Sequence, residues 1–243
     1  MDLSKNTSIE RLTKEKILLV AFLIDKSGSM RGFNQEVPRA WQAYIDLILN
    51  SSENQNVLVN PMLFGEGDLT SMGFKLVSDQ ATLSYYADDG QTDLFDNIVL
   101  ALNELNESVA NYINEGYRAR GLLIILSDGG DNKYSRDSTS GRHSFSNACE
   151  AIKYTTDNKG QVAFIAFGGG ARGVGTDLGI THVMDTDGTV EELYTLFAVA
   201  SVSTIEMSKS NGVANGTNFF EAAMSGMPGT DNNGNGLPGR LNR

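Results

Sequence analysis

The fold of this chain is decided by the stretch Ile17-Leu18-Leu19-Val20-Ala21-Phe22-Leu23-Ile24-Asp25-Lys26-Ser27-Gly28-Ser29-Met30. Its apolar part is rich in branched side chains, which is typical of a strand buried on both faces of a parallel sheet. The run stops at Asp25, and Ser27 and Ser29 follow at two-residue intervals. We expect these three side chains to surround one point at the carboxyl end of the strand, where open α/β sheets bind ligands. One carboxylate and two hydroxyls suit a hard cation such as Mg²⁺.

Two later stretches bring further oxygen donors to the same edge. Thr92 precedes a segment with helical apolar spacing, which predicts that its hydroxyl lies at or near a helix start. Gly121 to Leu126 reads as another short buried strand, and Asp128 follows it closely. Because strands alternate with helices along the chain, we predict an α/β fold with a doubly wound, mostly parallel sheet flanked by helices.

This arrangement resembles the von Willebrand factor A (VWA) domain with its metal-ion-dependent adhesion site (MIDAS). Asp25, Ser27 and Ser29 match the D-x-S-x-S element, Thr92 matches the threonine of the second loop, and Asp128 matches the aspartate after the fourth strand. The resemblance implies a Rossmann-like fold and a site for Mg²⁺ or Mn²⁺. It also implies that Ser27 and Ser29 ligate the metal directly, whereas Thr92, Asp25 and Asp128 act directly or through water.

The donor set predicts what the site binds. Neutral hydroxyls leave the metal's charge under-compensated, so an Asp or Glu carboxylate of a protein partner is favoured in the open coordination position. The motif contains no strong general base, so we predict a binding module and not an enzyme. Two alternatives stay open: a metal-dependent phosphohydrolase, and a structural assembly subunit whose metal only stabilises the loops.

Composition limits the classes of partner. The chain has 243 residues and a formal net charge of −11, with a sequence pI near 4.6. This charge argues against nucleic acids and anionic membrane surfaces as partners. Cys149 is the single cysteine, which excludes an intramolecular disulfide, and we expect it to be a small buried residue on a helix. A mixed-charge leader and the lack of a membrane-length apolar segment predict a cytoplasmic protein.

A second resemblance concerns Ser27-Gly28-Ser29-Met30 and the segment from Leu196 to Ser203. Both are similar to small bacterial VWA proteins associated with tellurium-resistance-type stress systems. This similarity implies a bacterial interaction module of a stress or defence pathway. The implied partners are a kinase or a protein phosphatase of that pathway.

We divide the chain into a polar leader (1–15), a VWA domain (16–206) and a flexible tail (207–243). Gly and Asn dominate the tail, which therefore buries little apolar surface. Within it, Asn218-Phe219-Phe220-Glu221 has the form of a helix start. Two interpretations remain open for this segment: a transient turn, or a short helix that docks its two phenylalanine rings on this domain or on a partner.

Several other patterns are set aside as sites. The glycines at 168, 170 and 173 imitate a dinucleotide motif, but no apolar helical period follows them, which predicts a flexible loop. Segment 231–236 imitates an EF-hand loop without its closing Glu. We predict that His143 and His182 are surface or packing residues. Binding specificity is expected in the loops around the metal, namely 31–36, 65–68, 86–91, 129–144 and 168–180.

Overall fold

Strands and helices alternate along the chain in the computed structural model, which describes residues 12, 15–65, 69–87, 90, 92–129, 145–168, 171–210, 219–220 and 223. The strands are β1 (Lys16–Asp25), β2 (Val57–Phe64), β3 (Thr70–Ser71), β4 (Lys75–Leu76), β5 (Arg118–Ser127), β6 (Gln161–Phe167) and β7 (His182–Thr186). The α-helices are α1 (Glu36–Leu49), α2 (Leu94–Asn114), α3 (Phe145–Asp157), α4 (Arg172–Asp177) and α5 (Val190–Lys209). A 3₁₀ helix, Gly28–Phe33, follows β1.

The strands form a single sheet in the order β3-β2-β1-β5-β6-β7, and β4 also pairs with β2. Strands β1, β2, β5, β6 and β7 are parallel, whereas β3 and β4 run antiparallel to β2. The chain leaves β1 towards β2 on one side and later adds β5 on the other side. The gap between the carboxyl ends of β1 and β5 is therefore the topological switch point, where open sheets bind ligands. The predicted doubly wound, mostly parallel sheet is confirmed.

Each face of the sheet carries its own apolar cluster. On one face, α1 and α5 pack over an aromatic group in which Phe22 stacks on Phe197 at a ring-centroid distance of 5.0 Å. Tyr44 and Trp41 close around Phe22 with edge contacts at 5.3 and 5.8 Å. On the other face, α2 and α3 cover the remaining side chains of the same strands. β1 is buried on both faces, as its unbroken apolar run predicts.

The segment predicted as a flexible loop between β6 and β7 contains a helix, α4, and that prediction was wrong for residues 172–177. The helix is held by close packing and not by an apolar period. A Cβ atom on Gly175 would lie 3.0 Å from Cγ of Phe164, so the glycine lets the helix approach β6. Residues 169–170 lie outside the described part.

The last helix, α5, ends beyond the predicted boundary of the VWA domain. It begins after a capping box, in which the Thr189 hydroxyl accepts a bond from the backbone of Glu192, and it runs to Lys209. It therefore continues past the predicted domain boundary at 206, and the division into domains stays a prediction. Cys149 lies on α3 as expected, but it is half-buried.

The described part of the tail packs on the domain. Phe219, Phe220 and Ala223 are buried in the apolar cluster that contains Phe197. The Phe219 N–H donates to Nδ1 of His182 at 3.1 Å. These contacts favour docking on this domain over a transient turn. The rest of the tail, including 231–236, lies outside the described residues. In the described part of the chain, no helix has the length and hydropathy that a membrane span requires.

Candidate metal centre

Asp25 ends β1 and is fully buried at the switch point. Its Oδ1 accepts the backbone N–H of Ser27 at 2.8 Å, and its Oδ2 accepts the hydroxyl of Ser127 at 2.7 Å. Its backbone oxygen accepts the hydroxyl of Tyr85, also at 2.7 Å. The carboxylate is therefore fixed by Ser27, directly after β1, and by β5, whereas the loop before α2 fixes the backbone of Asp25.

A line of short contacts leads from this buried carboxylate towards solvent. The hydroxyl oxygens of Ser27 and Ser29 lie 3.1 Å apart, and Ser29 donates to Oδ1 of Asp128 at 2.9 Å. Ser27 is buried, Asp128 is half-buried and Ser29 is exposed. The 3₁₀ helix that begins at Gly28 produces this arrangement, because it turns the chain directly after β1. Asp25, Ser27, Ser29 and Asp128 thus form one cluster.

Thr92 is buried two residues before the first residue of α2, as the sequence predicts. Its loop joins the cluster through the backbone: Gly28 N–H donates to the carbonyl of Gly90 at 3.3 Å. Asp93 N–H donates to the carbonyl of Gly65 at 3.1 Å, which holds the same loop against the end of β2. The Gly28 bond, together with the bond from Tyr85 to Asp25, joins the loop that carries Thr92 to the cluster.

The two carboxylates of the cluster are both desolvated. Burial raises the pKa of Asp25 to about 6, although the bonds from Ser127 and Ser27 act in the opposite direction. Burial also raises the pKa of Asp128, against the effect of its bond from Ser29. Among the residues that the structure describes, no three His, Cys, Asp or Glu side chains come together in a way that could hold a metal ion. The candidate site is therefore a mixed set of hydroxyls and carboxylates.

The spacing of these oxygens fits a small divalent cation. Mg²⁺ binds oxygens at 2.0–2.1 Å in an octahedron, in which adjacent ligand oxygens are about 3 Å apart. The contacts from Ser27 to Ser29 and from Ser29 to Asp128 measure 3.1 and 2.9 Å. A cation could thus replace these hydrogen bonds without a large movement of the loops. It would also compensate the two desolvated carboxylates, so the residues present fit the group.

Two residues in this site were not predicted from the sequence. The sequence identifies Ser127 only as the end of a strand, although a hydroxyl directly before Asp128 is a candidate partner of Asp25. Tyr85 belongs to a stretch in which buried residues alternate with exposed ones, from Leu83 to Ala87. That alternation indicates an inward-facing tyrosine, but it does not identify Asp25 as its acceptor.

The loops predicted to give specificity are partly described. Ala87 N–H donates to Oδ1 of Asn34 at 2.7 Å, which joins the loop before α2 to the end of the 3₁₀ helix. Other parts lie outside the described residues, namely 66–68, 88–89, 91 and 130–144, the last of which contains His143. His182 is the first residue of β7 and accepts the bond from Phe219, in agreement with the predicted packing role.

Similarity to solved structures identifies the fold of this chain. No family model and no curated protein sequence matches this chain. Among solved structures, pilus adhesin SpaC from Lactobacillus rhamnosus GG has a TM-score of 0.62 at 12% identity over 81% of this chain. Proximal thread matrix protein 1 from the mussel byssus, with a zinc-occupied MIDAS motif, has a TM-score of 0.51 at 16% identity over 75%. The N-terminal domain of TFIIH p34 has a TM-score of 0.50 at 13% identity over 75%.

This chain spans 31% of the SpaC chain, 46% of the mussel protein and 98% of the p34 domain. At these identities the similarity concerns the fold. Together with the sheet order, it shows that this chain has the Rossmann-like VWA fold.

Proposed function

We propose that this chain is a protein-interaction module that recognises an acidic residue of its partner through a divalent cation. The observation that carries the proposal is the contact between Ser29 and Asp128, 2.9 Å long, which joins the loops after β1 and β5. It brings a hydroxyl and a carboxylate together at the solvent side of a cluster whose inner end is a buried carboxylate.

In this proposal Ser27, Ser29 and Asp128 hold the cation, which is Mg²⁺ or Mn²⁺. Asp25 lies behind them and orients Ser27 through its bond to the backbone N–H, and Thr92 completes the set from the loop before α2. The cation supplies positive charge and an open coordination position that accepts a carboxylate oxygen. The zinc-occupied MIDAS motif of the mussel protein supports a divalent ion in this fold.

The biological setting is proposed from the sequence resemblance alone. It is a cytoplasmic stress or defence pathway of a bacterium, with a kinase or protein phosphatase as partner. The net charge of −11 supports a protein partner over a nucleic acid. A bound cation would make the site locally positive, so that an acidic partner residue is compatible with the acidic chain.

The first test is titration calorimetry with MgCl₂ and MnCl₂. Asp128→Ala removes a solvent-side carboxylate and is expected to lower metal affinity at least tenfold. Asp157→Ala is the matched control, because Asp157 is an exposed carboxylate on α3, paired with Lys153 at 2.6 Å, outside the cluster. Equal metal affinity of both variants and the wild type would contradict the assigned metal centre.

The second test compares partner capture from source-cell lysate in Mg²⁺ and in EDTA. A partner retained by the wild type and by Asp157→Ala in Mg²⁺, and lost with Asp128→Ala or EDTA, would support the proposal. Retention in EDTA would instead support a structural subunit whose metal only stabilises the loops. Thr92→Ala is expected to weaken partner binding more than metal binding.

The remaining alternative is a metal-dependent phosphohydrolase, which makes a separate prediction. It requires turnover of a phosphoester that is lost in Asp25→Ala. An assay with p-nitrophenyl phosphate in Mg²⁺ and Mn²⁺ tests it directly, and turnover by the wild type but not by this variant would favour the enzyme.

A further inference from the structure

A cavity of about 360 Å³ lies at the amino-terminal end of the parallel strands, opposite the end that carries the candidate metal centre. Lys16 and Arg118, the first residues of β1 and β5, line it. Because both strands are parallel, these residues lie at the far end from Asp25 and Ser127. The ends of α2 and α5 contribute further lining, including Ile113 and Ser210. The cavity is therefore separate from the candidate metal centre.

The charge of this cavity is opposite to that of the whole chain. Among the described residues, its lining contains three cationic side chains, Lys16, Arg118 and Arg120, and no carboxylate, whereas the chain has a net charge of −11. Arg118 pairs with Glu15 at 2.8 Å, but both side chains are more than two-thirds exposed. An exposed pair of this kind is weak and competes poorly with a bound anion.

Arg120 is a cationic residue of the cavity whose guanidinium is held in place by hydrogen bonds. Its Nη2 donates to the carbonyls of Met207 and Ser210 at 2.6 and 2.7 Å, which holds the guanidinium against the end of α5. Its Nη1 is buried and has no hydrogen-bond partner among the described residues. Burial also lowers the pKa of this guanidinium. A buried cationic donor without an acceptor is costly, and an anion in the adjacent cavity would offset the charge of the guanidinium.

The lining also has an apolar part. Ile113 is about half exposed on the last turn of α2, and Tyr117 lies three residues after the end of that helix. Their side chains offer a surface for carbon atoms beside the cationic group. A ligand that matches the cavity therefore combines an anionic group with a small apolar body.

We propose that this cavity binds a small organic anion, a phosphate monoester or a carboxylate with an apolar body. The cationic side chains of Arg120, Lys16 and Arg118 compensate the charge of the anionic group, and Ile113 and Tyr117 contact the apolar body. Arginine is suited to this role because its planar fork of donors matches phosphate and carboxylate oxygens.

The probe for this proposal is phenyl phosphate, titrated calorimetrically into the full chain in EDTA at constant ionic strength. EDTA keeps anions from binding through a metal, so the result does not depend on the proposed function. We expect phenyl phosphate to bind, and to bind more tightly than inorganic phosphate. Equal affinity of the two compounds would overturn the assigned apolar contact, and the absence of binding at millimolar concentration would overturn the site.

Variants locate the binding. Arg118→Gln and Lys16→Gln are each expected to weaken phenyl phosphate binding several-fold. Lys153→Gln removes the same charge from α3, where the lysine is exposed and paired with Asp157, and should have no effect. Equal losses in all three variants would indicate diffuse attraction to charge and would overturn the proposal. Ile113→Ser should weaken phenyl phosphate binding but not inorganic phosphate binding. Arg120 is not substituted, because it also holds α5.

Discussion

Ser127, the last residue of β5, donates its hydroxyl bond to Oδ2 of Asp25, the last residue of β1, over 2.7 Å. The two strands are parallel neighbours, so this bond joins their carboxyl ends across the switch point. On the other side of the carboxylate, Oδ1 accepts the backbone N–H of Ser27. Both bonds come from neutral donors, which orient the carboxylate but do not neutralise it. The site therefore holds a buried negative charge directly behind the side chains that would hold a cation.

Asp25→Asn is expected to stabilise the metal-free protein. The asparagine keeps the shape of the side chain and can still accept the Ser27 N–H through its Oδ1. Its NH₂ group can donate to the Ser127 hydroxyl, which can turn to the Gly129 carbonyl 3.1 Å away. Burial raises the pKa of Asp25 from 3.8 to about 6. Removal of that penalty is worth up to about 3 kcal/mol in the free energy of unfolding at pH 7.

The gain in the free energy of unfolding of Asp25→Asn should increase as the pH rises. Below pH 3.8 the carboxyl is protonated in both the folded and the unfolded chain, so the variant gains nothing. Between pH 3.8 and about 6 the penalty on the wild type grows, and above that range it is constant. Urea denaturation of both proteins in EDTA from pH 3.5 to 7.5 measures this. A variant that is less stable than the wild type at pH 7 would contradict the assigned burial penalty.

Ser127→Ala tests the support that β5 gives to Asp25. Loss of the hydroxyl removes a charge-assisted bond from a buried carboxylate, which is expected to destabilise the protein by about 2 kcal/mol. Outer partners of this kind commonly affect metal affinity about tenfold or more. Ser203→Ala is the matched control, since its buried hydroxyl has no hydrogen-bond partner in the described part of the chain. Denaturation and Mg²⁺ titration should separate the two variants, and equal behaviour would exclude a positioning role for Ser127.

Tyr85→Phe tests the contact of the loop before α2 with the candidate metal centre. The tyrosine hydroxyl donates to the backbone oxygen of Asp25 at 2.7 Å, and both residues are buried. Its removal leaves that carbonyl without this donor and should cost about 1 kcal/mol of unfolding free energy. Tyr86→Phe makes the same chemical change at the neighbouring residue, whose side chain is 70% exposed. It should cause no measurable loss of unfolding free energy. Similar losses in the two variants would argue against the contact.

The periodicity of apolar residues predicts those strands and helices whose formation depends on residues close together in the sequence. The apolar run before Asp25 specifies a strand buried on both faces, and a parallel sheet brings the ends of β1 and β5 together without further information. The contact of Tyr85 with Asp25 joins residues that are 60 positions apart, and the alternation around Tyr85 does not specify its partner, so no sequence pattern predicts the contact. The sequence does not predict helix α4 for another reason. Gly175 allows close packing on Phe164, whereas a glycine in a sequence usually indicates a loop.

Gly188 and Gly179 share a backbone conformation but differ in their surroundings. Their φ angles are +82° and +80°, a region that costs other residues about 1–2 kcal/mol. A Cβ atom on Gly188 would lie 2.9 Å from Cα of Gly168, whereas one on Gly179 would meet nothing within 4 Å. Gly179→Ala should therefore cost only the conformational strain. Gly188→Ala should cost about 1–3 kcal/mol more, because backbone at the end of β6 must move.

Urea denaturation of the two alanine variants measures the difference, and the comparison removes the shared strain. The backbone contact also predicts where the damage occurs. Gly168 N–H donates to the carbonyl of Thr186 at 3.0 Å, so displacement of Gly168 should weaken the pairing at the ends of β6 and β7. Hydrogen exchange should then be faster at Gly168 in Gly188→Ala than in Gly179→Ala. Equal stability and equal exchange in the two variants would show that the loop between β7 and α5 relaxes freely and that the close approach of the two glycines has no structural role.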